Sequence, residues 1–495
     1  MSNDAQPLLP RRALLRGAGL SAAALIAAPS LARTAVPRPA PTPVNDPLAA
    51  APGTAALLGP GQPHTAVLAY NETVPGPALH LRQGEPFHSI VRNGLSEGTT
   101  VHWHGIRLPN AMDGVPFLTQ KPIAPGGTFT YAFTPPDAGT FWYHPHEHTA
   151  GEMGRGMAGA LIVEEPEPPA FDRDVLWVLQ DWELEPGGAL LPGFDTFMQA
   201  AMAGRIGNVV TINGERRPTV PVRAGERIRL RLVNACLARF MALRFTGHRV
   251  MVVALDGQPV MQPFVPAGGR VLIAPAQRVD LVLDTTGEPG SRHPVIDDFY
   301  GGRLIYRLSD LAYTQEPRLH RELPTAPPIL RPNPVPKPDL GNPVRHHLTI
   351  TGGMMGGMSG GMMGGGGGTG MMGWMGMMAD GKPVSRPAIW GIRSRHDAND
   401  GMAPIFTIPL GRTVLITLEN RTRWWHPMHL HGYSFTVLSR NGVAARHPHL
   451  RDTVVLRPNE TVDFAFAADN PGNWMFHCHV IEHQANGLMT VIRVA

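Results

Sequence analysis

The chain has 495 residues, a net charge of +4, 17% charged and 7% aromatic residues. So even a balance excludes the strongly basic face that nucleic acid or an acidic membrane would require, and two cysteines exclude a disulfide-stapled framework. With 56 glycines and 51 prolines the chain reads as turn-rich β structure, long enough for three domains.

The first element is "PRRALLRGAGLSAAALIAAPSLA", with paired arginines, a moderate apolar run and small residues at Ser30 and Ala32. It reads as a twin-arginine export signal over residues 1–32, which makes the twin-arginine translocase a partner and the periplasm the destination. The run from Ala13 to Ala28 is short and broken by Arg16 and two glycines, so it spans a bilayer poorly. No stable membrane span is expected after the signal is removed, and no nucleic-acid partner.

Three stretches then share one pattern: "GEPFHSIVRN" (84–93), "GERIRLRLVN" (225–234) and "GRTVLITLEN" (411–420). Each runs from Gly to Asn and alternates apolar and polar residues with the strand period. Nine residues past Asn93 comes His102 of "HWHG", and nine past Asn420 comes His429 of "HLHG". In the middle copy, Leu243 and Phe245 stand at those places. A second unit, "PGGTFTYAFTPPDAGTFWYHPH", aligns without a gap on "RPNETVDFAFAADNPGNWMFHCH". Repeats this long imply duplicated domains, read as β-sandwiches over 45–168, 169–318 and 340–495. A linker covers 319–343, proline-rich in "PTAPPILRPNPVPKPDLGNP". Within the third domain, "GGMMGGMSGGMMGGGGGTGMMGWMGMM" (352–378) has ten methionines and fourteen glycines and no period. Thioethers favour Cu(I), so Met354, Met355, Met358, Met362, Met363, Met371, Met372, Met375, Met377 and Met378 are candidate Cu(I) ligands. The alternative is a passive low-complexity insertion.

The chemistry lies in four clusters from the first and third domains. His-x-His on a strand turns both imidazoles to one face. His102, His104, His144, His146, His429, His431, His477 and His479 therefore supply eight imidazoles around one space, enough for several ions. Cys478 faces the other way and joins His426 and His483 in a His₂Cys set, the ligand set of blue copper. The cysteine backbone then links two metal centres. Cys236, in the copper-free middle domain, reads as a small buried apolar residue.

"HWHG", "HPH", "HPMHLHG" and "HCHVIEH" resemble the four copper-binding motifs of the multicopper oxidases, the laccase and cuprous oxidase superfamily, in motif and domain order across the mature chain. The resemblance implies an all-β fold of three cupredoxin-like Greek-key sandwiches and four copper ions. Type 1 copper would take His426, Cys478 and His483, and type 2 copper His102 and His429. The two type 3 ions would take His104, His144 and His479, and His146, His431 and His477. It further implies one-electron oxidation of a small reductant, Cu(I) or a phenol, coupled to reduction of dioxygen to water. Cys478 would carry the electrons. Asp113, in "PNAMDGVP", matches an acid that the family places beside the cluster for proton supply. A second family acid is replaced by Gln484, leaving Glu482 or Glu152 as substitutes, and the axial position holds Leu488, with Met489 next. The Met-rich stretch resembles that of periplasmic cuprous oxidases involved in copper tolerance, but Thr422 and Trp424 replace that branch's Asp and Met. "RWW" (423–425) equally suits an aromatic pocket for phenols. Readings still open are a cuprous oxidase, a laccase-like phenol oxidase and, from another class, a copper-sequestering protein.

Overall fold

Where apolar and polar residues alternate, the computed structural model has strand. The described residues, 47–354, 388–394 and 402–495, form six sheets. Strands between residues 48 and 164 make two four-stranded sheets; those between 173 and 313 make a seven- and a five-stranded sheet, and those between 344 and 494 do so again. Each pair encloses an apolar core, with Trp103, Trp177 and Trp474 buried in the three cores in turn. The all-β expectation holds.

The written repeat has a structural counterpart in two parallel pairings that recur in every pair of sheets. In the first sheets Leu48–Ala55 lies parallel to Phe87–Asn93, and Gly76–Arg82 parallel to Gly159–Glu164. In the middle sheets Arg173–Trp182 lies parallel to Arg227–Asn234, and Thr219–Val222 parallel to Tyr306–Tyr313. In the last, Val344–Gly352 lies parallel to Thr413–Asn420, and Pro404–Ile408 parallel to Met489–Val494. Parallel neighbours need long crossovers, so each unit closes only after its whole length has been laid down.

The structure explains why the repeat ends on Asn. Asn93 Oδ1 accepts from Leu95 N–H, and its Nδ2 donates to Glu97 O and Ile123 O. Asn234 accepts from Cys236 N–H and donates to Arg239 O and Ile273 O. Asn420 accepts from Thr422 N–H and donates to Trp424 O and Arg457 O. One side chain thus saturates a buried loop at its strand exit, the turn-forming property of asparagine used three times. In the outer copies that loop delivers the chain to its His-x-His strand.

The proline-rich linker is fastened rather than loose. Asn333 Nδ2 donates to Ala138 O and to Gln258 Oε1, and Asn333 Oδ1 accepts from Ala138 N–H, so the strap ties the first sheets to the middle ones. The expected export signal, and residues 355–378 of the methionine tract, lie outside the described residues. Among the described residues no helix is long and apolar enough to cross a membrane.

Candidate metal centre

Two antiparallel strand pairs aim the histidines. In the first sheets His102–His104 pairs with Gly139–His144, placing His102 opposite His144. In the last, His426–Leu430 pairs with Gly472–Cys478, placing His429 opposite His477 and Met428 opposite Cys478. The strand period sends Trp103 back into the first core, and Met428, Leu430 and Cys478 into the last. The imidazoles of the two units then interleave: His102 stacks on His431 with centroids 3.9 Å apart, and His104 on His429 at 3.7 Å.

The glycines that close the two motifs are required by this packing. Gly105 has φ +88°, and a Cβ there would meet the Arg278 guanidinium and the Asp452 carboxylate. Gly432 has φ +70°, and a Cβ there would lie 2.3 Å from the Trp474 ring.

All eight imidazoles are buried. Burial makes an imidazolium costly and holds His104, His144, His146, His431, His477 and His479 well below their ordinary pKa, so they stand neutral, as ligation requires. Three of them have an outer nitrogen engaged: His431 Nδ1 lies 2.9 Å from Asp113 Oδ2, His477 Nδ1 2.9 Å from Cys478 O, and His144 Nδ1 3.0 Å from Pro145 O. The inner nitrogens of these three therefore carry lone pairs, yet His431 and His477 Nε2 face each other at 3.0 Å, and His144 Nε2 faces His479 Nε2 at 3.4 Å. His102 Nε2, His104 Nδ1, His146 Nε2 and His429 Nε2 are buried with no hydrogen-bond partner. Lone pairs converging in a dry space are repulsive by themselves and suit cations between them. Ligand atoms of His146, His431 and His477 lie within 4.8 Å of one another, as do those of His102, His429 and His431, and of His102, His104 and His144.

The second site lies on the other face of Cys478. His426 and His483 Nδ1 are 3.3 Å apart, and Cys478 Sγ lies 3.5 and 3.8 Å from them. A triangle of that size leaves its centre about 2 Å from each atom, a metal–ligand distance. His483 Nε2–H donates to Met202 O at 2.7 Å, and His426 Nε2 lies 2.8 Å from Thr422 Oγ1, so both Nδ1 lone pairs point inward. Burial pushes the Cys478 thiol up, and only a bound cation would favour its thiolate. Leu488 is fully buried in the same core as Cys478, while Met489 begins the final strand opposite His477.

Asp113 is buried and meets two of the histidines: its Oδ2 lies 2.9 Å from His431 Nδ1, and its Oδ1 3.2 Å from His102 Nδ1. Sequence reasoning missed its counterpart. Asp452 O accepts from His429 Nδ1–H at 2.9 Å, and Asp452 Oδ1 lies 3.3 Å from His104 Nε2. Burial alone would raise this carboxyl, but the Arg278 guanidinium, paired with both its oxygens, and His429 hold it below the usual carboxylate range. Arg278 comes from the middle unit and also donates to Thr140 O of the first. No spacing in the sequence ties Arg278 or Asp452 to a histidine motif. The two substitute acids are buried on short helices, Glu152 on Thr149–Gly154 and Glu482 on Ile481–Ala485.

Multicopper oxidase sequence patterns match residues 54–168, 173–293 and 382–495, which together span most of the chain. The chain belongs to the multicopper oxidase family. Laccase-1 of Fomitopsis schrenkii is 30% identical to this oxidase over 473 residues, covering 87% of this chain and 83% of that protein. Copper resistance protein A of Escherichia coli is 28% identical over 553 residues, covering 86% and 88%. The crystal structure of a multi-copper oxidase from Pseudomonas thermotolerans superposes with a TM-score of 0.75 at 34% identity, over 92% of this chain and 100% of that one. The oxidase is therefore an oxygen-dependent oxidoreductase of cupredoxin-like domains with copper as cofactor, and it requires a reducing substrate.

Proposed function

We propose that the oxidase holds four copper ions and oxidises Cu(I) after export to the periplasm by the twin-arginine route. His426, Cys478 and His483 hold type 1 copper. His102 and His429 hold type 2 copper, and His104, His144, His479, His146, His431 and His477 hold the type 3 pair. The copper set supplies one-electron acceptance from the reductant and four-electron reduction of dioxygen to water. The protein's own residues bury ten imidazoles, exclude water from both sites and connect them through one peptide segment, His477–Cys478–His479. Asp113 orients His102 and His431 and stands where a proton for dioxygen can be held.

The observation that carries Cu(I) as reductant is where the methionine tract is rooted. Met354 N–H donates to Ala201 O, next to the Met202 carbonyl that receives His483, and Met354 O accepts from the Trp424 indole at 3.1 Å. On the far side of the tract, Ile389 and Trp390 N–H donate to Asn486 O, and the Trp390 ring lies 4.3 Å from that of His483. The described chain on both sides of the thioether-rich segment is thus anchored beside His483 and the Trp424–His426 stretch, where a captured Cu(I) would need to be. A laccase-like reading is favoured by Laccase-1 among the relatives and by the aromatic residues around Trp425. To separate the two, residues 355–378 are deleted, which keeps the Met354–Trp424 bond, and turnover is measured with Cu(I) and with a neutral phenol. Loss of Cu(I) turnover alone supports the proposal; equal retention of both sinks it.

A further inference from the structure

A cavity of about 500 Å³ opens in the middle unit, away from the histidine clusters. Its wall carries Arg216, Arg217 and Arg303, all exposed, and among the described residues none of their guanidiniums has an ion-pair or hydrogen-bond partner. Its floor is Arg239, Tyr300 and Tyr306. Arg239 is paired with Asp181 and lies over both tyrosine rings at 5.6 and 5.8 Å, so its own charge is answered. Leu304 and Ile305, 65% and 48% exposed, form an apolar lip. Three uncompensated guanidiniums over an aromatic and aliphatic lining fit an organic anion with a flat ring. The forks grip a carboxylate bidentately while the rings exclude water from the body of the ligand.

The floor leads to the metal centre. Tyr300 and Phe299 have ring centroids 4.8 Å apart, and Phe299 and Trp425 5.6 Å apart. Phe240 stacks on Phe299 at 5.3 Å and closes the cluster against Trp425, which precedes His426 in the chain. From these observations we infer that the cavity is a second entry site for reductant, taking anionic phenols such as phenolic carboxylates, and that Tyr300, Phe299 and Trp425 couple the bound ring to His426. Each phenol loses one electron and its hydroxyl proton to become a phenoxyl radical. Four such losses supply the four electrons and four protons that turn one dioxygen into two waters. The inference rests on the oxidase reading but not on Cu(I) as the other reductant.

The test begins with binding to the copper-free protein, which does not depend on the metal assignment. Ferulate is titrated by calorimetry beside its uncharged methyl ester, with R216A/R217A/R303A compared with the parent. The triple variant should bind ferulate about tenfold more weakly, one lost charged contact's worth, and its KM for ferulate should rise by a similar factor relative to that for neutral guaiacol. A control, R345A/R393A/R493A, removes the same charge from the last unit and should leave ferulate affinity alone. Equal ferulate affinity in parent and R216A/R217A/R303A overturns the site, and so does an equal loss in the control. Phe299→Leu tests the route: ferulate still binds, while kcat falls for ferulate more than for guaiacol. An equal fall for both overturns the coupling. Cu(I) turnover, measured alongside, reports separately on the reading above.

Discussion

Asp113 reaches His431 and His102 with its two carboxylate oxygens, so an amide in its place offers an NH₂ where an acceptor stood. Asp113→Asn should slow dioxygen reduction about 10–100-fold, the usual effect of losing a ligand's outer partner. The blue type 1 spectrum should persist, because Asp113 touches none of its ligands. Stopped-flow reoxidation checks this, and unchanged rates would discard the role. A second residue argues through pH. Glu152 is 3% exposed, accepts from Thr99 Oγ1 at 2.6 Å, and is pushed up to about 8 by burial. Its folded-state value is raised, so the stability it favours is complete below the ordinary 4.5 and is lost as pH rises through about 8. Glu152→Gln should remove that slope and leave the copper-free protein more stable at high pH by on the order of 3 kcal/mol. Urea midpoints at low and high pH read it out, and parallel curves for the two proteins would contradict it.

At the scale of elements, the three Asn-closed strands form a natural comparison. Asn420 also accepts from Thr422 Oγ1 at 2.7 Å, and the same hydroxyl faces His426 Nε2. Asn420→Ala should cost about 3 kcal/mol, from several buried groups left unpaired, and should alter the type 1 paramagnetic resonance spectrum. Asn234→Ala should cost a similar amount and leave that spectrum unchanged. Altered spectra in both variants would show that the effect is not local. The Gly-to-Asn spacing was readable because a strand of fixed length ends each copy. What the asparagine does was not, since one of its two acceptors in each copy, Ile123, Ile273 or Arg457, lies far along the chain. The histidine clusters were legible for the reason the strands were: period two turns H-x-H to one face. Arg278 and Asp452 escaped because only the packing of three units brings them beside the cluster.

Across the whole molecule, the middle unit contributes none of the clustered histidines yet braces them. Arg278 contacts Thr140 of the first unit and Asp452 of the last while buried beside Asp256 of its own. The site is a seam between the outer units, lined with lone pairs that repel when no cation is present. Removing copper should therefore lower the melting temperature by several degrees, since ligand bound at a thousand times its Kd adds about 4 kcal/mol. Calorimetry of copper-free and reloaded protein checks this; identical melting would mean that the seam does not depend on the metal.

The ligands are also split in time. A ribosome makes His102 to His146 early and His426 to His483 only after the entire middle unit and its strap. Early domains fold first during synthesis. A nascent chain stalled in the middle unit would display four of the clustered histidines, His102, His104, His144 and His146, and close neither site. Metal loading thus becomes a completion check: a chain that holds its full copper complement has been translated through its last sheet and has folded across all three units.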